Sequence, residues 1–386
     1  MNLKKSLLIT LDFPPRFGGV SSYYYNIAKN LPGDKIIVLA PAVPQTENFD
    51  ANQNFTILRS KILTQITQTK GGILNFKSKL KWLALTKEIK QIVKNHQIEI
   101  LLVGQVLPLG NIALMLRKHL PYIFFSHGMD ITVPAKITRK KLLLKKIIKN
   151  AKAIVCNSYF TRHELYLLGA DREKIIVLNP CPNISAEHIN EQKIENFLKQ
   201  NELKDKKIIL TVGRLVKRKG HDQVIKALPE IINKIPQACY VIAGDGPNLN
   251  DLIKLVSEKK LGQYVKFIKD VPQEVLPILY QTCEVMAMPS RQLSNGDVEG
   301  FGIVYLEANL FGKPVIGGKS GGVPEAIVHE KTGLLVPPLD VTSLAEAIIS
   351  LMINPAYAHQ LGLQGLDRVH EEFSWREQTN KLFKIL

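Results

Sequence analysis

Glu299 and Glu307 stand eight positions apart and bracket the turn Gly300, Phe301, Gly302, which runs into the apolar stretch Ile303, Val304, Tyr305, Leu306. A Gly-x-Gly turn opening a helix leaves its first backbone N–H groups unpaired and able to hold an anion. Glu299 in the loop and Glu307 deeper in the helix can each accept a bond from a hydroxyl. A ligand with hydroxyls on both sides of a phosphate, as in a nucleotide sugar, suits this spacing, with Glu299 on the sugar and Glu307 on the ribose. Paired glutamates at such spacing also occur on solvated helix faces, so the motif gains weight from its neighbours in the chain.

The first neighbour is Gly213, Arg214, Leu215, Val216, Lys217, Arg218, Lys219, Gly220. The β-branched run 207–212 precedes it and a helical pattern from Asp222 follows, so the loop sits at the carboxyl end of a strand, where open α/β sheets bind ligands. Arg214 offers a planar fork and Lys219 a compact charge, both suited to a diphosphate. Strand 239–243 leads into Gly244, Asp245, Gly246, Pro247, and strand 314–317 into Ser320, Gly321, Gly322, Val323, Pro324, Glu325. Each loop is explicable as turn chemistry. Four of them after successive strands point to one crevice.

These loops need two parallel sheets to hold them. A chain of 386 residues fits two ordinary domains. Strands at 6–12, 35–40, 98–103, 121–125 and 152–156 alternate with helical stretches, and the alternation restarts at 207–212, 239–243, 264–268, 283–288, 314–317 and 333–336. The expected architecture is α/β, two Rossmann-like doubly wound domains. The boundaries are 1–180 for the first and 181–370 for the second, with 181–205 as connection plus a short helix and 371–386 as a final helix. In the first half, Gly18 and Gly19 follow the opening strand and precede a helix over 21–30, so backbone there can approach a ligand closely. His127 sits just past the strand ending at Phe125.

Charge is distributed unevenly. Residues 1–180 carry 27 Lys and Arg against 10 Asp and Glu, and the remainder carries 24 of each, so the whole net charge of +17 lies in the first half. That half is suited to an anionic surface. Stretches 135–150 and 77–94, the latter around Trp82, read as basic amphipathic helices able to lie on anionic lipid. Packing of their apolar faces on the sheet, with the lysines solvated, explains each one equally. A nucleic-acid partner is not expected, because the basic residues lack interleaved aromatics. No segment reaches the length of a membrane span. The apolar part of 1–12 is too short for a signal peptide, and Cys156, Cys181, Cys239 and Cys283 form no metal-type cluster, so a cytoplasmic protein with reduced thiols is expected.

In order and wording, Gly-Arg-x4-Lys-Gly at 213–220, Gly-Asp-Gly-Pro at 244–247, Glu-Gly-Phe-Gly-x4-Glu-Ala at 299–308 and Ser-Gly-Gly-Val-Pro-Glu at 320–325 resemble the retaining glycosyltransferases of family 4. Residues 14–20, 125–130 and 156–158 extend the resemblance over nearly the whole chain. The wording at 298–305 resembles the mannosyltransferase branch that includes phosphatidylinositol mannoside synthases. The resemblance implies a GT-B fold, two domains facing across a cleft, with the last helix crossing back to the first domain. It implies metal-independent transfer of a hexose, mannose favoured, from a nucleotide-diphosphate sugar to a hydroxyl of a glycan or lipid-linked acceptor. GDP-mannose is the favoured donor and a UDP-sugar the alternative, with no other cofactor.

The implied catalytic set is His127, Arg214, Lys219 and Glu299, with no metal ligand. Gly18, Gly19, Gly213, Gly244, Asp245, Gly246, Val271, Phe301, Gly302, Ile303, Val304 and Glu307 bind the donor. Val271 belongs to a stretch, 268–271, expected to meet the base. Closure of the two domains about 181–205 would exclude water. A UDP-glucose-type transferase, a nucleic-acid-modifying transferase and a catalytically silent nucleotide-sugar-binding subunit are the alternatives. Peripheral attachment at the inner face of the membrane is a further expectation.

Overall fold

The structure, a computed structural model, describes residues 3–15, 18–67, 76–186 and 189–386, without the side chains of 76–79. Arg16 and Phe17, within the 14–20 motif, lie outside the described residues, as do residues 187–188 of the connection. The chain divides into two units, Met1–Pro180 with Trp375–Leu386, and Cys181–Ser374.

The first unit is built on seven parallel strands, β1 (Ser6–Ile9), β2 (Ile36–Pro41), β3 (Thr56–Ser60), β4 (Ile100–Val103), β5 (Tyr122–Ser126), β6 (Ala153–Cys156) and β7 (Ile175–Val177), in the order β3-β2-β1-β4-β5-β6-β7. Leu8 is in register with Val38 on one side and Leu102 on the other. The inner strands read as unbroken apolar runs because helices cover both faces. Leu7, Ile9, Leu101 and Val103 point into one layer with Leu85, Ile89, Leu144 and Ile147. Leu8, Leu102, Ile123 and Phe125 point into the other with Tyr23, Tyr24 and Ile27 of the helix Gly19–Asn30.

The two basic stretches resolve into helices Phe76–His96 and Thr138–Asn150. In the second, Leu144, Ile147 and Ile148 are buried on the sheet, whereas the lysines and Leu142 face solvent. No single helix among the described residues is long and apolar enough to cross a membrane.

The second unit has six parallel strands, β8 (Lys207–Val212), β9 (Ala238–Ala243), β10 (Val265–Ile268), β11 (Val285–Met288), β12 (Val315–Gly318) and β13 (Gly333–Val336), in the order β10-β9-β8-β11-β12-β13. Chain order reverses between β8 and β11, and such a switch point opens a crevice beyond the carboxyl ends of the two strands. The loops bearing Lys219 and Glu299 leave those two strands. The helix Glu191–Gln200 follows the connection and belongs to this unit.

The chain's end differs from the single helix expected over 371–386. The helix Pro355–Glu372 stays in the second unit, the chain breaks at Phe373 and Ser374, and a short helix Trp375–Asn380 with a 3-10 turn Lys381–Lys384 joins the first. Trp375 packs edge-on against Tyr23 at 5.5 Å, and the Asn179 N–H donates to Gln378 Oε1 at 3.1 Å. Leu382 is fully buried in the same layer. Truncating it leaves a cavity the sheet cannot close, so Leu382→Ala should destabilise the first unit by about 2–5 kcal/mol. Trp82 and Trp375, the two tryptophans, both lie in that unit, so urea unfolding followed by tryptophan fluorescence reads it directly; an unmoved midpoint would show that the terminal segment does not hold the unit together.

Candidate active site

In the second unit, glycines let the loops after β8, β9 and β10 touch backbone to backbone. The Gly213 N–H donates to the Ala243 carbonyl at 2.9 Å, the Leu215 N–H to the Asp245 carbonyl at 2.9 Å, and the Gly244 N–H to the Ile268 carbonyl at 2.8 Å. A Cβ on Gly244, whose φ is +142°, would lie 2.3 Å from the Gly213 oxygen, and one on Gly246 would lie 2.6 Å from the Leu215 backbone. Asp245 is exposed, and its carboxylate accepts the Gly246 N–H at 2.7 Å, which shapes its own loop. Val271 is half-buried on the connection after β10.

At the switch point Lys219 is 8 % exposed, and its Nζ lies 2.6 Å from Glu299 Oε2. Arg218 Nη1 reaches the same oxygen at 3.2 Å, and its Nε contacts Asp297 Oδ1 at 3.0 Å. Both cations sit on Oε2, and among the described residues no hydrogen bond falls on Oε1. Burial pushes the Glu299 carboxyl up, but the Lys219 and Arg218 charges outweigh it and hold it below its usual range. Burial also pulls the Lys219 ammonium below its ordinary value, against the upward pull of Glu299.

Gly220, at φ +78°, ends the turn carrying Lys219, and a Cβ there would strike the Pro289 carbonyl at 2.3 Å. Gly302, at φ +93°, opens the helix Ile303–Leu310. The Tyr305 N–H donates to the Gly302 carbonyl, and among the described residues the N–H groups of Phe301, Gly302, Ile303 and Val304 have no backbone partner. Glu307 is buried and accepts the Tyr280 hydroxyl at 2.8 Å on Oε2. Burial raises its carboxyl above the ordinary value, with the Tyr280 bond opposing. Arg214 is exposed and makes no ion pair among the described residues.

The loop after β12 buttresses this cluster. The Gly322 N–H donates to the Glu299 carbonyl at 3.0 Å, and a Cβ on Gly321 or Gly322 would collide with the Glu299 or Gly300 oxygen at 2.3 or 2.0 Å. Behind it, buried His221 touches the Arg214 carbonyl and the Tyr240 hydroxyl, and burial lowers its pKa to about 4. Sequence reasoning left out Arg218, Asp297 and His221. Arg218 fell among the unspecified positions of Gly-Arg-x4-Lys-Gly, where the signal was a second cation adjoining Lys219 and an acid, Asp297, two residues before Glu299.

The first unit holds the remaining candidates. Gly18 precedes the helix Gly19–Asn30, and among the described residues a Cβ on Gly18 or Gly19 would meet no atom within 4 Å. His127 leaves the end of β5, and its Nε2 lies 2.7 Å from the Tyr24 hydroxyl, with the Tyr23 ring edge-on at 4.9 Å. Burial lowers its pKa to about 4, so the imidazole is neutral at physiological pH and suited to positioning. The His127 backbone N–H donates to Asp130 Oδ1 at 2.8 Å, and the Ser126 hydroxyl donates to the same oxygen at 3.1 Å. Asp130 Oδ2 is buried with no partner among the described residues, and burial pushes this carboxyl up to about 6. The Cys156, Asn157, Ser158 motif is structural: Ser158 caps the helix Tyr159–Leu167, and Asn157 Nδ2 reaches the His127 carbonyl at 3.4 Å. Among the described residues, no three His, Cys, Asp or Glu side chains group to hold a metal.

His127 and Asp130 give opposed pH dependences. His127 titrates near pH 4 in the fold against 6.5 unfolded, so its stabilising contribution is complete above pH 6.5 and fades toward pH 4. Asp130 titrates near pH 6 in the fold against 3.8 unfolded, so its contribution is complete below pH 3.8 and is lost as pH rises through 6. Asp130→Asn removes the second effect and keeps the first. Between pH 4 and 6 its stability should therefore climb more steeply than that of the wild type in tryptophan-monitored urea unfolding, and parallel profiles would contradict these shifts.

Two family models cover the chain, Glycosyltransferase Family 4 over residues 17–184 and Glycosyl transferases group 1 over residues 192–368. The GDP-mannose-dependent alpha-(1-6)-phosphatidylinositol monomannoside mannosyltransferase of Mycolicibacterium smegmatis is 28% identical over 98% of this chain and 97% of its own. A Corynebacterium glutamicum enzyme named for the monoacylated form of that acceptor is also 28% identical, over 99% and 98%. Among solved structures, Anabaena HepE with UDP and glucose matches with a TM-score of 0.81 at 19% identity over 99% of this chain and 98% of that one. WaaG, a glycosyltransferase of lipopolysaccharide biosynthesis, matches with 0.72 at 15% over 98% and 99%. With one model on each half and the fold shared throughout, the chain belongs to the family 4, group 1 glycosyltransferases and is a glycosyltransferase of the GT-B fold.

Proposed function

We propose that this transferase moves a hexose, mannose in preference, from GDP-mannose to a hydroxyl of a glycan or lipid-linked acceptor, with retention of configuration and without a metal. The observation that carries the reading is the buried contact of Lys219 Nζ with Glu299 Oε2 at 2.6 Å, beside the open amides of 301–304. The donor's diphosphate takes Lys219, with Arg214 free on the surface above, and the hexose hydroxyls take the open Oε1 of Glu299. As the C1–O bond breaks, its electron pair leaves with the diphosphate, and the fixed cations and amides stabilise that growing charge. The acceptor oxygen attacks C1 on the same face, and its proton passes to the departing phosphate oxygen. Glu307 binds the ribose through Oε1, since Tyr280 occupies Oε2. His127, neutral and fixed by Tyr24, serves in this reading as a positioning group rather than a base.

Relatives named as GDP-mannose-dependent and as acting on phosphatidylinositol mannosides support the mannose donor and a lipid-linked acceptor. The exposed lysines and Leu142 of Thr138–Asn150 support contact with anionic lipid. Arg214→Ala and Lys219→Ala should each lower turnover by about two orders of magnitude or more. The check is nucleotide release from GDP-mannose and from UDP-glucose, and near-normal rates in both variants would refute the assignment. Turnover should be unchanged by excess EDTA, and loss of activity restored by a divalent cation would remove the metal-independent step.

A further inference from the structure

An open cavity of about 550 Å³ lies at the carboxyl ends of β12 and β13, outside the set of groups assigned to the donor. Its size is within the range of about 300–1,000 Å³ usual for small-molecule sites. Its lining combines apolar Pro337, Pro338 and Leu339 with polar Gln292, Lys319 and Ser320. Leu339 is 70 % exposed, which leaves a bare apolar ledge. The charges are balanced. Arg291, which also lines the cavity, has Nη1 2.8 Å from Asp222 Oδ1, and the lining adds one further cation, Lys319, and one anion, Asp340, whose carboxylate accepts the Ser343 N–H at 3.0 Å and hydroxyl at 2.6 Å.

A phosphate ligand asks for a surplus of cations, and a lipid tail for an unbroken apolar wall. Balanced donors and acceptors facing an apolar ledge suit an uncharged ring rich in hydroxyls. Lys319 and the Gln292 amide could donate to such hydroxyls, the Gln292 carbonyl and Asp340 could accept from them, and Pro338 and Leu339 offer a surface to the C–H face. The cavity is also tied to the donor cluster. The Arg291 N–H donates to the Arg218 carbonyl at 2.8 Å, and Ser320 begins the loop whose Gly322 N–H holds the Glu299 carbonyl.

We propose that this cavity is a saccharide subsite that binds non-reacting sugar units of the acceptor, a glycan arm of two or more rings. The proposal rests on the transfer reading above and names a substrate class for it. The test uses the full chain and the double variant Gln292→Ala/Leu339→Ala, whose side chains are exposed and outside the donor cluster. Binding of the methyl glycoside of α-1,6-mannobiose, of maltose and of chitobiose is titrated by ligand-observed NMR, with inorganic phosphate as competitor and GDP and UDP as separate ligands. At least one disaccharide should bind the wild type, its Kd should rise tenfold or more in the variant, phosphate should not displace it, and nucleotide affinity should stay within twofold. Absence of disaccharide binding, equal Kd values in the two proteins, or displacement by phosphate would each overturn the subsite. A wild type that binds neither GDP nor UDP would overturn the donor reading instead, and the disaccharide comparison would still decide the subsite.

Discussion

Burying an ammonium and a carboxylate strips both of water at a cost of several kcal/mol per ion, which only close pairing and added hydrogen bonds offset. Lys219 is buried and Glu299 largely so, with side chains 10 % and 13 % exposed, and removing the carboxylate alone should cost about 3–5 kcal/mol by stranding the ammonium, whereas Glu299 without Lys219 keeps Arg218. The arrangement suits a transferase because the pair satisfies itself without substrate and yet can be divided by one. In the proposed reaction a diphosphate would compete for the ammonium, and a polyhydroxylated ring would replace the ammonium at the carboxylate. Arg218, shared between Asp297 and Glu299, helps keep the carboxylate charged and would hold it in place during that exchange.

The fold places this pair where strand order reverses. Lys219 leaves β8 and Glu299 follows β11, the two strands on either side of the switch, so residues eighty positions apart meet without a long loop. Glycine makes the approach possible. Side chains at 220, 244, 246, 302, 321 and 322 would collide with neighbouring backbone or with Tyr305, and three of those positions have φ between +78° and +142°. The glycines flanking the charged residues are thus part of the same device. They bring backbones within contact so that the charges converge and the amides of 301–304 stay open.

Much of this was legible because chemistry and geometry both leave residue-type marks. Apolar runs revealed the inner strands, and Lys219, Glu299 and Glu307, each explicable alone as a solvated surface residue, stood out because glycine loops recur after several strands of one sheet. The unnamed strands, Thr56–Ser60 and Ile175–Val177, are edge strands with partly exposed residues; the first has polar residues among its apolar ones, and the second is apolar but only three residues long. Partnerships left no trace. Nothing in the local sequence ties Tyr24 to His127 across 103 positions, or Tyr280 to Glu307 across 27, because such contacts depend on which helix lies against which strand. The break at Phe373 was hidden because the helical pattern before it and the short helix after it read as one segment.

The central claim is that the donor's diphosphate and its hexose divide the Lys219–Glu299 pair between them. Calorimetric titration of Glu299→Gln with GDP and with GDP-mannose tests it most directly. The account predicts that GDP binds the variant at least as tightly as the wild type, since the ammonium no longer has a competing carboxylate, while the additional affinity conferred by the hexose is lost. Equal weakening of both ligands, or an undiminished contribution from the hexose, would contradict it.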